Sequence, residues 1–350
     1  MSERATITVI GAGPCGLAVG VAAREAGLSC VLLDKGPVVN AIERYPLGMT
    51  FFSTPDHLEI GGVPFVSIAD KPSRAEALNY YRRIAGHFEL DVRQYEEVTR
   101  VERAGGEFVV HTRRHRGGRG EYRSDALVVA TGYFDTPNRL GVPGEELPKV
   151  THYFREPHLY FDQDVVIVGA GNSAIDAALS TWRAGARVTL VHLFDDFDRG
   201  VKPWVLPDIR NRVAAGEISV RWKSRVLAIE TDRVRIGPAG CGPGSGDRPT
   251  SGDGDGSGEW IPNDFVLAMT GFRPDPRFLR SLGAPVDPNT GVPEHDPETM
   301  ETPVPGLFVA GVIAAGFDAN RIFIQNGREH GGRIMRSLRM RFIDGVLQPE

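Results

Sequence analysis

A cysteine stands inside a glycine-rich stretch near the start of the chain, and both features could do chemistry. The stretch reads GAGPCG from Gly11 to Gly16, with Cys15 directly after Pro14. A thiolate is a nucleophile that can attack a disulfide. Closely spaced glycines let a backbone approach a phosphate group. One loop could therefore bind a nucleotide, hold a redox-active thiol, or do both.

The flanking segments predict a strand, a loop and a helix in that order. Thr6 to Ile10 is short, apolar and rich in β-branched residues, as a buried parallel strand is, and alanines recur at helical spacing after the loop. A GxGxxG pattern in this setting is typical of a dinucleotide-binding fold, where the helix N-terminus binds the pyrophosphate. A second predicted strand ends at Asp34, roughly 20 residues after Gly11. An acid at this distance binds ribose hydroxyls in dinucleotide-binding folds. The predicted ligands here are Gly11, Gly13, Pro14, Gly16, Asp34 and Lys35.

The same pattern recurs in the middle of the chain. The apolar segment Asp164 to Val168 precedes GAGNSA, in which Ala174 replaces the third glycine, a tolerated variant. Two such loops predict FAD on the first and a nicotinamide nucleotide on the second, because hydride transfer needs both. The predicted nicotinamide-site residues are Gly169, Gly171, Asn172, Ser173, His192, Arg199 and Lys202.

The order of the motifs predicts an α/β fold with two Rossmann-like domains, the first split by insertion of the second. We expect the FAD domain at 1–150 and 265–350 and the NAD(P) domain at 151–264, with the strand 265–271 returning to the FAD half. Residues 237–259 are rich in Gly, Ser and Asp and predict a disordered loop between two strands. Further predicted flavin contacts are Phe52, Thr131, Gly132, Gly311 and Val312.

Composition excludes several classes of protein. The chain has 350 residues, a net charge of −5 and no basic block, which argues against a nucleic-acid partner. Three cysteines fit a reducing compartment. The start leaves no room for a signal peptide, and no apolar run is long enough to span a membrane. We therefore expect a cytoplasmic enzyme without a membrane or nucleic-acid partner and without a metal site.

Several segments together resemble the YpdA-type flavoproteins, bacillithiol disulfide reductases that are small relatives of bacterial thioredoxin reductase. They are GAGPCGLA, VVNAIERYP, TFFS followed by LEIG, ATGYF, HYFREPHLYFDQDVVIVGAGNSAIDAAL, VKPWVLPD and AGVIAAGFDANRIFIQNG. The resemblance implies FAD, a nicotinamide donor, reduction of a small disulfide and, as often in such relatives, a homo-oligomer. It also implies that Cys15 is the redox residue.

The chain departs from that family after the second strand of the nicotinamide unit. Leu193 stands where the family tends to have an arginine for a 2′-phosphate, and Asp195 and Asp196 follow. Carboxylates repel a phosphate, whereas a ribose diol can donate to them. Arg199 and Lys202 could compensate. The resemblance implies NADPH, and NADH stays open.

The sequence has no CxxC pair, so a disulfide reductase would have to work through a mixed disulfide on Cys15. A helix N-terminus lowers a thiol pKa, whereas a nearby pyrophosphate raises it. Cys15 could equally be a small residue where Ala or Ser would fit. Cys30 in an apolar strand and Cys241 in the Gly/Ser-rich segment suggest no catalytic role.

Three other functions stay open at this point. A ferredoxin or flavodoxin reductase would need no active thiol. A flavin monooxygenase would usually carry FxGxxxH, which is missing here. A nucleotide sensor would use both folds only for binding. His152, His158 or His330 could donate a proton to a leaving thiolate, although structural hydrogen bonding fits each of them as well.

Overall fold

The computed structural model describes residues 3–240, 258–318 and 320–341. Their contacts divide the chain into two units. Unit 1 is Met1–Thr136 with Phe272–Glu350, and unit 2 is Pro137–Gly271.

The strands and helices alternate along much of the chain, as in α/β proteins. The strands are β1 (Glu3–Ile10), β2 (Cys30–Leu33), β3 (Asp91–Arg93), β4 (Glu96–Ala104), β5 (Glu107–Arg114), β6 (Arg119–Val129), β7 (Val150–Thr151), β8 (Asp164–Val168), β9 (Arg187–Val191), β10 (Ser219–Arg221), β11 (Ser224–Ile229), β12 (Arg233–Pro238), β13 (Glu259–Pro262), β14 (Phe265–Ala268) and β15 (Leu307–Val309). The α-helices are α1 (Pro14–Glu25), α2 (Asn40–Glu43), α3 (Arg74–His87), α4 (Asn172–Arg183), α5 (Leu206–Ala214), α6 (Pro276–Ser281), α7 (Ile324–Gly327) and α8 (His330–Arg339).

The sheet of unit 1 places the first glycine loop at one edge. Its order is β3-β2-β1-β6-β5-β4, and β15 pairs with β6. β1 is parallel to β2 and β6, and Ile10 is in register with Leu33 and Val129. Val309 is in register with the same Val129. The segments that follow β1, β2, β6 and β15 therefore meet at one edge, as in doubly wound sheets.

Two helices cover this sheet near the loop. Most of α1 is buried, and it begins at Pro14, whose missing N–H costs nothing in a first turn. It packs against α8. A Cβ atom at Gly331 would lie 2.6 Å from the carbonyl oxygen of Ala18, so the glycine permits this close approach. Helix α8 thus brings the C-terminal segment of unit 1 to the glycine loop.

Unit 2 has its own parallel sheet in the order β10-β9-β8-β14-β7 and an antiparallel sheet of β11, β12 and β13. The prediction of two Rossmann-like α/β units is confirmed. No helix in the described ranges is both long and apolar enough to cross a membrane.

The assignment of one strand differs from the sequence-based expectation. Residues 265–271 were expected to return to the first half, but β14 pairs with β8, with Ala268 in register with Val168. β14 also pairs with β7, so the chain leaves unit 1 after Thr136 and re-enters it at Phe272. A short apolar run fits any parallel sheet, so its pattern could not show which sheet it joins.

Two strands flank the Gly/Ser-rich segment. β12 and β13 pair antiparallel, with Ile236 in register with Glu259. Residues 241–257 of that segment, with Cys241, lie outside the described residues.

Candidate functional site

The glycines of the first loop have distinct roles. Gly11 has φ +109° and lies against the carbonyl of Ala130, and Gly16 lies against the carbonyl of Gly11, so neither position has room for a side chain. A Cβ at Gly13 would meet no atom within 4 Å. The first and third glycines therefore serve packing, while the second leaves open space in front of the loop.

The N-terminus of α1 faces the same space. Gly13 is its N-cap residue, and no side chain caps the helix within the described chain. The first turn of a helix leaves backbone N–H groups without intrahelical partners, and these bind phosphate. The loop therefore fits a dinucleotide pyrophosphate.

Asp34 is tied to this loop. Its carboxylate accepts the N–H of Ala12 at 2.8 Å through one oxygen and the N–H of Gly36 at 2.8 Å through the other. Burial raises the pKa of Asp34, and the two backbone donors oppose this effect. Each carboxylate oxygen keeps a second lone pair, so Asp34 can still accept from a ribose hydroxyl.

The other predicted flavin contacts also lie in unit 1. Gly132 has φ +67°, and a Cβ there would lie 4.0 Å from a methyl carbon of Val312. Thr131 lies beside Gly11. Lys35 forms an ion pair with Asp135 at 3.0 Å. Phe52 is about one-third exposed.

Cys15 occupies the second position of α1, is partly buried and lies beside two glycines. A Cβ at Gly311 would lie 2.9 Å from the Cβ of Cys15 and 3.0 Å from its Sγ. A Cβ at Gly327 would lie 2.8 Å from the Sγ. The thiol therefore lies where the first glycine loop, the segment after β15 and the end of α7 meet.

A histidine holds this segment in place. His330, at the start of α8, accepts the N–H of Gly311 through Nδ1 at 3.1 Å. The side chain is buried, and this desolvation lowers its pKa to about 4. His330 is therefore neutral near pH 7, with its proton on Nε2. His152 lies in unit 2 beside Glu145, and His158 is exposed.

Burial raises the pKa of the Cys15 thiol to about 12. The sequence suggested opposing effects of the helix N-terminus and a pyrophosphate, but desolvation is the cause found here. Cys15 is thus a thiol at neutral pH. Burial raises the pKa of Cys30, in β2, to about 12 as well.

The second loop repeats the geometry in unit 2. Gly169 has φ +122°, and a Cβ there would lie 2.5 Å from the carbonyl oxygen of Met269. The methyl group of Ala174 is buried and lies 3.6 Å from that Cβ position, so the loop accommodates alanine in place of the third glycine. No side chain caps α4 at Gly171 in the part of the chain that the structure describes.

Asn172 links this loop to the segment after β9. Its amide donates to the carbonyl of Gly200 at 3.0 Å and accepts the N–H of Lys202 at 2.9 Å. Ser173 and Arg199 are exposed, and Lys202 is half-buried.

His192, directly after β9, is buried against aromatic rings. Its ring packs edge-on against Phe194 and Trp222, with centroids 5.2 and 6.1 Å away. Its Nε2 lies 3.4 Å from a carboxylate oxygen of Asp198. Asp198 lies beside the predicted nicotinamide loop, because its backbone N–H donates to the carbonyl of Ala170.

Sequence reasoning missed two residues of these sites. Gly327 was not singled out, although it lies in the segment that carries the family resemblance. Asp198 was not considered either, since only Asp195 and Asp196 were named among the acids after β9. Which of three neighbouring aspartates meets the loop depends on the path of the chain after β9.

The comparisons with known proteins agree with this geometry. Residues 8–311 match the family model for pyridine nucleotide-disulphide oxidoreductase, so the chain belongs to that family of enzymes. Members combine a flavin with a nicotinamide nucleotide.

Particular relatives are more informative. The chain is 42% identical to "Bacilliredoxin reductase Bdr" of Bacillus subtilis (strain 168), over 95% of this chain and 97% of the relative. The structure of "Bacillithiol Disulfide Reductase Bdr (YpdA)" from Bacillus cereus is 41% identical, with a TM-score of 0.90 over 97% of this chain and all of that one. Thioredoxin reductase of T. acidophilum shares the fold, with 20% identity and a TM-score of 0.71 over 99% of this chain and all of that one.

Proposed function

We propose that this enzyme reduces a low-molecular-weight disulfide, bacillithiol disulfide, with electrons from NAD(P)H through FAD. The position of Cys15 carries the proposal, because the sulfur lies in the first glycine loop and two glycines leave room for it. The structure at 41% identity is named a bacillithiol disulfide reductase, and the relative at 42% identity is named a bacilliredoxin reductase.

The first loop of unit 1, with Gly13, Asp34 and Gly132, would hold FAD. The second loop, with Gly171 and His192, would hold the nicotinamide nucleotide. When bound, the two cofactors supply the two electrons of the reaction by hydride transfer.

Cys15 would do the disulfide chemistry. Its thiolate attacks one sulfur of the substrate, the S–S bond breaks, and the first thiol leaves with a proton. A mixed disulfide joins Cys15 to the other half of the substrate. Two electrons then break this bond, a proton completes the second thiol, and Cys15 is restored. Because burial holds the resting pKa of Cys15 near 12, the thiol must lose its proton when the disulfide reacts.

The first experiment is anaerobic reduction of the purified flavoprotein with NADPH or NADH, followed by bacillithiol disulfide. Reoxidation of the flavin is expected with the wild type but not with Cys15→Ser, which should still be reduced by the nicotinamide. Cys30→Ser is the matched control, since its pKa is raised by burial in the same way. Reoxidation at an unchanged rate in Cys15→Ser would refute the single-thiol mechanism.

One observation supports a second candidate. A protonated Cys15 whose sulfur packs against Gly311 and Gly327 suits an enzyme that passes electrons to ferredoxin or flavodoxin and uses no thiol. Reoxidation by these proteins and not by disulfides would favour that function. Action in the cytoplasm and a homo-oligomeric state stay predictions.

A further inference from the structure

Three aspartates follow β9 in unit 2, and two of them are neutralised by bases. A carboxylate oxygen of Asp195 lies 3.2 Å from Nζ of Lys223. Asp196 accepts from the guanidinium of Arg210 at 2.9 and 3.1 Å through its two oxygens. The repulsion of a phosphate that the sequence suggested for these two acids is therefore reduced by their partners.

Asp198 is placed differently. Its backbone N–H donates to the carbonyl of Ala170 at 3.2 Å, which fixes it on the second glycine loop. One carboxylate oxygen lies 3.0 Å from the point where a Cβ of Gly171 would be. A carboxylate beside the second glycine of a dinucleotide loop is suitably placed to accept hydrogen bonds from a ribose.

His192 gives an independent indication of a ligand at this point. Its side chain is 7% exposed, and its Nε2 has no hydrogen-bond partner in the described chain. The neighbouring oxygen of Asp198, at 3.4 Å, does not complete a hydrogen bond. A buried polar atom without a partner is costly, and a sugar hydroxyl that hydrogen-bonds to both side chains would satisfy it.

We propose that Asp198, with His192, binds the adenosine ribose diol of the nicotinamide nucleotide, so that the second site prefers NADH to NADPH. Of the proposed function, this proposal needs only one part, which is that the second loop binds a nicotinamide nucleotide. Free 2′- and 3′-hydroxyls donate to the carboxylate, whereas a 2′-phosphate brings a second anion to it. Leu193, half-exposed beside His192, adds no charge to offset that anion.

The test measures binding rather than turnover. The oxidised flavoprotein is titrated with NAD⁺ and NADP⁺ by isothermal calorimetry. NAD⁺ should bind roughly tenfold to a hundredfold more tightly, which is the range for hydrogen bonds to a charged group. Asp198→Ser should weaken NAD⁺ binding by a similar factor and leave NADP⁺ binding equal or tighter. Asp198→Asn keeps the shape of the side chain and should change the ratio of NAD⁺ to NADP⁺ affinity in the same direction.

Asp208→Asn is the matched control. It removes the same charge in unit 2, but Asp208 pairs with Arg183 at the far end of α4, roughly 16 Å along the helix from its start. The NAD⁺/NADP⁺ ratio should not change in this variant.

Three outcomes would overturn the proposal. The first is tighter binding of NADP⁺ by the wild type, abolished by Arg199→Ala, which would assign the 2′-phosphate to that exposed guanidinium. The second is an unchanged ratio in both Asp198 variants. The third is no binding of either nucleotide, which would also refute the nicotinamide site. A clear NAD⁺ preference in a chain that reduces no disulfide would refute only the proposed function.

Discussion

Gly327→Ala tests whether the position of the Cys15 sulfur matters for the reaction. The new methyl carbon would lie 2.8 Å from Sγ, 3.2 Å from a methyl carbon of Ile322 and 3.3 Å from the Cα of Gly311. A carbon–sulfur contact is comfortable near 3.5–4 Å, so the sulfur must move by about 1 Å. A displacement of that size can lower a rate by about a hundredfold. We expect disulfide turnover to fall tenfold to a hundredfold, within that bound.

The fold should tolerate the same change. Gly327 ends α7 without a positive φ, and alanine is favoured over glycine in a helix by roughly 0.5–1 kcal/mol. This offsets part of the crowding, because the nearest atom is the end of a side chain that can rotate. The free energy of unfolding should therefore change by less than about 1 kcal/mol.

Stopped-flow absorbance separates the two half-reactions of the Gly327 variant. Reduction of the flavin by the nicotinamide should keep its rate, while reoxidation by the disulfide slows. Gly332→Ala in α8 is the control, because its Cβ would meet only the end of Arg336 at 3.9 Å. Wild-type turnover in a folded Gly327→Ala protein, or an equal loss in Gly332→Ala, would refute the reasoning.

Two further predictions follow from the pKa values. Because His330 has a pKa of about 4 when folded and near 6.5 when unfolded, the unfolded chain binds its proton first, so the free energy of unfolding should fall as the pH drops from about 6.5 to 4. The free energy of unfolding in urea should differ less between pH 4.5 and pH 7 in His330→Gln than in the wild type. An equal difference in the two proteins would contradict the assignment of this pKa to His330. Because the pKa of Cys15 is about 12 rather than 9, its alkylation by iodoacetamide at pH 7.5 should be ~1,000-fold slower in the folded protein than in urea. Peptide mass spectrometry measures this rate, and equal rates folded and unfolded would show that the thiol is not shielded.

Local features could be predicted from the sequence because they follow from local rules. The two glycine loops are short patterns between a strand and a helix, and the structure places Gly11 and Gly169 in turns with positive φ. The boundary near 265 could not be predicted, because β14 would fit either parallel sheet. The contact between Cys15 and Gly327 joins residues more than 300 positions apart, and no local pattern reports such a distance.

The same contact bears on whether Cys15 is merely a small residue at a tight place. Gly311 lies against both the Cβ and the Sγ of Cys15, so it would have to be glycine with alanine at position 15 as well. Gly327 differs, because the atom of residue 15 that it meets is the sulfur. With alanine at position 15, the closest contact of an alanine at 327 would disappear, and those at 3.2 Å to Ile322 and 3.3 Å to the Cα of Gly311 would remain. The tightest contact that glycine at 327 relieves is therefore with an atom that alanine at position 15 would lack, and this favours a role for the thiol.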